Sequence, residues 1–171
     1  MRRFLLQMHG ESGAGKSTLA LAVGKATGAV VLDKDRIKAP LVQGGLEDPR
    51  AGGLAYDAFW LLAESFLAQG FSVVLDSPAF WPAILDKGKA IAADANVDYH
   101  LVECRCDDEA EQERRLITRE RFVSQPASRA ALAVVLARPG VVRELRETHL
   151  TVDTTQPLQA CVDQVIAYLQ R

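Results

Sequence analysis

A chain of 171 residues with 49% hydrophobic content can bury one proper core, so a single domain over residues 1–171 is expected. Its 20 basic and 22 acidic residues leave a net charge of −2, which excludes a global field for nucleic acid or an anionic membrane. The apolar start, Phe4 to Met8, is broken at Gln7 and too short for a secretory leader, and no stretch approaches the roughly 18 apolar residues of a membrane span. No membrane partner is therefore expected, and the location expected is cytoplasmic. Cys104, Cys106 and Cys161 are odd in number and lack the second pair that a zinc site wants. Cys104 and Cys106, two apart on an expected strand, read as buried small hydrophobes, and His9, His100 and His149 as isolated structural histidines.

Phe4 to His9 reads as a first strand and leads into GESGAGKS at 10–17, followed by Thr18. The pattern G-x-x-x-x-G-K-S between a strand and a helix turns several backbone N–H groups toward one point at a helix N-terminus, a cradle for anionic oxygens. Gly10, Ser12, Gly13, Ala14, Gly15, Lys16, Ser17 and Thr18 are its candidate phosphate-binding residues. Lys16 supplies a point charge for the outer phosphates, and the Ser17 hydroxyl can ligate magnesium. The first helix is expected from about Lys16 to Thr27, with Gly28 as a left-handed cap.

Ala29 to Leu32 is a short apolar run that reads as a parallel strand covered on both faces, ending in Asp33-Lys34-Asp35-Arg36. On extended backbone, carboxylates at i and i+2 point to one side, so Asp33 and Asp35 are expected to look together into a cleft beyond the strand end. Residues 39–53, with two prolines and four glycines, read as a loop or short insertion. Leu54 to Gln69 reads as a helix and Phe71 to Leu75 as a strand. That strand ends in Asp76, a candidate magnesium-side partner of Ser17.

Phe80 and Trp81 are candidates to line an acceptor pocket. A helix over 83–95 and a strand over 99–104 follow. Asp107 and Asp108 begin the next helix, where Asp108-x-x-Glu111 has the form of a capping box. That helix carries Arg114, Arg115, Arg119 and Arg121 and is expected to break at Ser124-Gln125-Pro126. Arg115 and Arg119, four apart, are expected to share a helix face. Two guanidinium groups there call either for bound phosphate or for neutralisation by Glu111, Glu113 and Glu120. A helix over 127–138, a short helical arm over 141–149, a strand over 150–152, a loop over 153–157 and a closing helix over 158–169 complete the chain. Five apolar strands alternating with helices imply an α/β fold, a doubly wound parallel sheet with one ligand crevice at the carboxyl ends.

GESGAGKST at 10–18, LDKDRIK at 32–38, GFSVVLDSP at 70–78, RRLITR at 114–119 and TVDTT at 151–155 make the chain resemble the small P-loop kinases with an adenylate-kinase-like core. That group contains polynucleotide 5′-hydroxyl kinases, chloramphenicol phosphotransferase, zeta-toxin kinases, gluconate kinase and shikimate kinase. The resemblance implies a P-loop NTPase sheet of order 2-3-1-4-5 with helices on both faces. It also implies a lid over about 114–139 whose Arg115 and Arg119 close on the ATP phosphates, and places Asp153 and Thr154 beside the adenine. Asp35 would be the base facing the acceptor hydroxyl. Asp33 beside it would act on the acceptor or on metal-bound water. Arg36 and Lys38 would lie on the acceptor side.

The chain departs from the shikimate kinases, with Ser77-Pro78-Ala79 in place of a Gly-Gly-Gly loop. It departs from the gluconate kinases at Ile37-Lys38-Ala39-Pro40-Leu41, where those have a His-Pro segment. The function expected is magnesium-dependent transfer of the γ-phosphoryl group of ATP to a hydroxyl of a small metabolite, nucleoside or antibiotic. The alternatives are a P-loop switch or ATPase acting on a protein partner, and a polynucleotide 5′-hydroxyl kinase. The switch is disfavoured because Asp76 is followed by Ser77 rather than Glu and no N-K-x-D sequence occurs. A nucleic-acid substrate is disfavoured because only Arg36, Lys38 and Arg50 are basic near the acceptor side.

Overall fold

The computed structural model describes residues 2–122, 125–142 and 145–171. Its elements in chain order are β1 (Phe4–His9), α1 (Lys16–Thr27), β2 (Val30–Asp33), α2 (Lys34–Gln43), α3 (Asp48–Ala68), β3 (Val73–Asp76), α4 (Pro82–Asp94), β4 (Asp98–Arg105), α5 (Glu109–Thr118), α6 (Arg129–Leu136), β5 (Leu150–Asp153) and α7 (Leu158–Leu169). The five strands pair in parallel in the order β2-β3-β1-β4-β5.

Alternation along β1 sorts the core into two layers. Phe4, Leu6 and Met8 join Leu19, Ala20 and Val23 of α1 and Cys161, Val162 and Val165 of α7 on one face. Leu5 joins Phe59, Trp60, Ala63 and Leu67 of α3 and Ile91 of α4 on the other. Gln7, fully buried in the middle strand, is satisfied from both sides: Tyr99 Oη donates to its Oε1 at 2.9 Å, and its Nε2 donates to the Ile84 carbonyl at 3.1 Å. Gly88 of α4 lies directly over it. A Cβ there would stand 2.1 Å from Gln7 Oε1.

Four expectations are corrected. Asp33 and Asp35 do not share an extended segment: Asp33 ends β2 and caps α2, its Oδ1 accepting from the N–H groups of Asp35 at 2.8 Å and Arg36 at 3.2 Å, so Asp35 lies in a helical first turn. Most of 39–53 is helical. α2 runs past Pro40 to Gln43, and α3 begins at Asp48, because the two helices pack as a hairpin tied by Lys38 to Asp48 at 2.6 Å, with Ala51 and Ala55 fully buried. Tertiary packing has overridden the glycines and proline. α5 ends at Thr118, so Arg119 is an extended C-cap and shares no helix face with Arg115. The described residues of 141–149 are not helical, and Arg143 and Glu144 lie outside the described residues, as does Ser124.

The remaining boundaries move by a few residues. Gly28 takes the expected left-handed cap, with φ 75°. Cys104 is buried as expected and Cys161 is buried too, whereas Cys106, also expected to be buried, lies past the end of β4 and is only half-buried. Among the described residues no helix is long and apolar enough to cross a membrane.

Candidate active site

The loop between β1 and α1 turns on three glycines in the left-handed half of backbone space, Gly10 (φ 133°), Gly13 (φ 84°) and Gly15 (φ 80°). Space as well as conformation demands glycine at the first: a Cβ on Gly10 would stand 2.3 Å from the Cys104 carbonyl oxygen of β4. Lys16 reaches back across the turn, its Nζ donating to the carbonyls of Gly10 at 2.8 Å and Glu11 at 2.9 Å. Burial pulls the Lys16 pKa down and the Asp76 carboxylate opposes it, so the ammonium is held under desolvation with a negative group near.

Asp76 closes β3 beneath the loop and receives a hydrogen bond from the Ser17 side chain. Burial lifts its pKa to about 6 against the pull of Lys16 and Ser17. A desolvated carboxylate joined to a hydroxyl at the foot of a phosphate cradle fits a hard divalent cation that keeps most of its other positions for water and phosphate. Asp33, in the neighbouring strand, gives its carboxylate to the α2 cap and lies 3.4 Å from Arg36 Nε. Asp33 nevertheless lines the same cleft as Ser17, whereas the hydrogen bond from the Ser17 side chain goes to Asp76.

Gln112 escaped the sequence reading. Buried on α5, its Nε2 donates to the Ser12 carbonyl and to Glu11 Oε2, each at 3.2 Å, pinning the phosphate loop from outside. The readable signal was its spacing: Asp108, Gln112 and Leu116 follow at i, i+4 and i+8, and Gln112 and Leu116 are the buried pair against Gly13.

Asp35 is gripped on both oxygens. Lys34 Nζ lies 2.5 Å from Oδ1, and Gln125 Nε2 donates to Oδ2 at 2.7 Å. Burial pushes the carboxyl up, but Lys34, Gln125 and the more distant Lys16 together outweigh it and hold the pKa below the ordinary value. Lys34 in turn rests over the Tyr56 ring at 5.6 Å.

Between the loop and the segment after β4 lies a cleft of about 350 Å³, lined by Gly13 and by Gly15 to Thr18 of the phosphate loop, by Asp33 and Arg36, and by Arg115, Arg119 and Gln125. Arg119 Nη2 donates to the Pro126 carbonyl at 3.0 Å, while its buried Nε has no partner among the described residues. Arg115 is more committed: Nε donates to Glu111 at 2.7 Å, and its two terminal nitrogens donate to Thr154 Oγ1 and the Thr154 carbonyl at 3.0 and 2.9 Å. Glu111 also takes two bonds from Arg114, so neutralisation by glutamate describes Arg114 and half of Arg115 but not Arg119. Glu111 is thereby diverted from the reciprocal half of the capping box, and only Asp108 caps α5.

A second cleft of about 340 Å³ continues past Gly15 and Thr18 to Thr154, Gln156 and Leu158. Thr154 is among the wall residues of this second cleft. Asp153 is not, and its Oδ1 accepts from Thr155 N–H and Oγ1 in a turn of its own. The acceptor candidates also divide. Asp33 and Arg36 reach the cleft, and Asp35 is joined to it through Gln125. Lys38 is spent on Asp48. Phe80 packs edge-on to His9 at 5.8 Å, lining a different cavity of about 760 Å³ that shares no wall residue with the cleft, and Trp81 caps α4.

A glycine cradle with its lysine, a serine–aspartate pair below it and a 2-3-1-4-5 parallel sheet define the small P-loop kinase class. The chain belongs to the AAA domain family, whose profile matches residues 5–159. None of the curated proteins matches the sequence. Among solved structures it is similar to a Chloroflexus aurantiacus protein assigned as a kinase, with 26% identity, TM-score 0.76, and 99% of this chain and 98% of that one covered. It also resembles a gluconokinase from Sinorhizobium meliloti, at 24% identity and TM-score 0.67 over 99% and 94% of the two chains. The APS kinase CysC of Mycobacterium tuberculosis, in complex with AMPPNP and APS, shares 18% identity and TM-score 0.69 over 99% of both chains. The last two likenesses are of fold.

Proposed function

We propose that this protein is a phosphotransferase that uses ATP with magnesium and moves the γ-phosphoryl group to a hydroxyl of a small molecule. The observation that carries this reading is the position of Asp35: a half-buried carboxylate gripped by Lys34 and Gln125, held ionised, within electrostatic reach of the phosphate-loop lysine. Hydrolysis by water needs no such group beside the cleft, whereas an acceptor hydroxyl needs an orienting base.

The chain's own residues divide the work as follows. The loop N–H groups and Lys16 hold the phosphates, and Arg119 offers an unpaired guanidinium N–H where charge spreads during transfer. Ser17 and Asp76 would hold magnesium, which when bound neutralises phosphate charge. Asp35 Oδ2 accepts the hydroxyl proton while Lys34 keeps the carboxylate in place. Arg115 fixes the Thr154 turn that borders the nucleobase.

The test is ATP consumption against pools of sugars, nucleosides, hydroxylated antibiotics and 5′-hydroxyl oligonucleotides, repeated with Asp35→Asn. Turnover should rise steeply with one small-molecule pool, and the variant should lose about 10² to 10⁴ of that rate while ATP affinity changes by less than about tenfold, roughly 1.4 kcal/mol. Turnover indifferent to every acceptor would overturn the reading.

A further inference from the structure

We infer that Gln125 is a positioning residue for the proposed base, so that Gln125 and Asp35 act as one unit on the acceptor. The inference rests on the kinase reading above and adds to it a residue that the sequence motifs do not contain.

Two contacts join Gln125 and Phe122 to the first turn of α2, and a third joins Arg119 to Pro126. Gln125 Nε2 donates to Asp35 Oδ2 at 2.7 Å across 90 positions of sequence. The Arg36 guanidinium lies over the Phe122 ring at 5.9 Å. Arg119, on which the Asp35 charge acts, donates to the Pro126 carbonyl at 3.0 Å. The Gln125 side chain is itself fixed, because its Oε1 accepts from the Phe122 N–H at 3.3 Å and its own backbone N–H donates to the Phe122 carbonyl at 3.0 Å. An amide held at both ends is a rigid spacer.

The consequence for Asp35 is geometric. A carboxylate oxygen accepts two hydrogen bonds in its plane, and Gln125 occupies one position on Oδ2, which leaves the other for an acceptor hydroxyl. Lys34 alone, on Oδ1, leaves the carboxylate free to rotate about its Cβ–Cγ bond. A second donor on the other oxygen removes that freedom, and reacting groups lose rate steeply when orientation is lost.

The intact protein with its accepted substrate tests this through Gln125→Ala, Gln125→Glu and a double-mutant cycle with Asp35→Asn. Gln125→Ala should lower acceptor-dependent kcat by about tenfold with ATP KM unchanged, the size of one lost hydrogen bond to a charged group. Gln125→Glu keeps shape but sets two carboxylates together, so it should be slower than Gln125→Ala, an order that a packing role would reverse. In the Asp35→Asn background Gln125→Ala should have little further effect, since residues acting as one unit are not additive. Additive losses, or a Gln125→Glu variant as fast as wild type, would overturn the inference while leaving the kinase reading intact. An Asp35→Asn variant with undiminished transfer would instead remove the base on which both rest.

Discussion

Asp33 and Asp76 occupy one rung of the sheet, paired residues at the ends of β2 and β3, each closing the same tetrapeptide Val-Val-Leu-Asp. Identical local sequence, register and strand direction nevertheless deliver two different groups. After Asp33 the chain turns straight into α2, whose free N–H groups take the carboxylate. After Asp76 it runs on as Ser77-Pro78 with no helix until Pro82, so that carboxylate stays buried and meets Ser17 and Lys16 instead.

The strained ionisation of Asp76 has a measurable sign. Its folded pKa of about 6 stands above the ordinary 3.8, so the stability linked to the protonated form is fully present below about 3.8 and is lost as pH rises through about 6. Two units correspond to something on the order of 3 kcal/mol. Asp76→Asn should therefore melt at higher temperature than wild type above pH 6, with the two curves converging near pH 4, while magnesium-dependent turnover falls sharply. Melting curves of the nucleotide-free protein across that range check it; a difference independent of pH would refute the assignment.

Lys16→Ala should weaken ATP binding by about 10² or more and leave the melting temperature near that of wild type. The ammonium is desolvated and bonded only to loop carbonyls, so removing it relieves burial as much as it loses contacts. Titration calorimetry alongside a melting curve separates the two effects. Unchanged ATP affinity would remove the foundation of the functional reading.

The two arginines should divide kinetically. Arg115 anchors the Thr154 turn in the resting protein, so Arg115→Ala should chiefly raise the KM for ATP, by about tenfold. Arg119 lines the cleft beside the phosphate loop, and Arg119→Ala should chiefly lower kcat, because an interaction strengthened in the transition state leaves ground-state binding little changed. Steady-state kinetics of both variants decide it, and the reverse assignment would follow from the opposite split.

Gly88→Ala offers a test of the core. Alanine inside a helix normally gains about 1 kcal/mol over glycine. Here its Cβ would meet Gln7 Oε1 at 2.1 Å, and Gln7 cannot withdraw without losing its bonds to Tyr99 and Ile84. Overpacking of about 1 to 3 kcal/mol, with a buried amide disturbed, should exceed the helical gain and give net destabilisation. A lower denaturation midpoint at unchanged slope would show it, whereas a stabilised variant would mean that Gln7 repacks freely.

What the sequence alone determined was whatever short-range chemistry dictates. The phosphate loop was legible because a strand, spaced glycines, Lys-Ser and a helix are all adjacent in the chain. The five strands were legible as short apolar runs between helices and loops, and their alternation with helices implied a doubly wound parallel sheet, whose order the resemblance to the small P-loop kinases supplied. Tertiary structure decided the rest. The stretch at 39–53 became helix because α2 packs on α3, a gain that local glycine and proline preferences do not register. Arg115 and Arg119 parted company because α5 stops one residue short of the second. Gln112 and Gln125 acquired their roles from contacts 100 and 90 positions away, with Ser12 and Asp35. Polar side chains of that kind carry no periodic signature; what they do is set by the donor or acceptor that the folded sheet brings within about 3 Å.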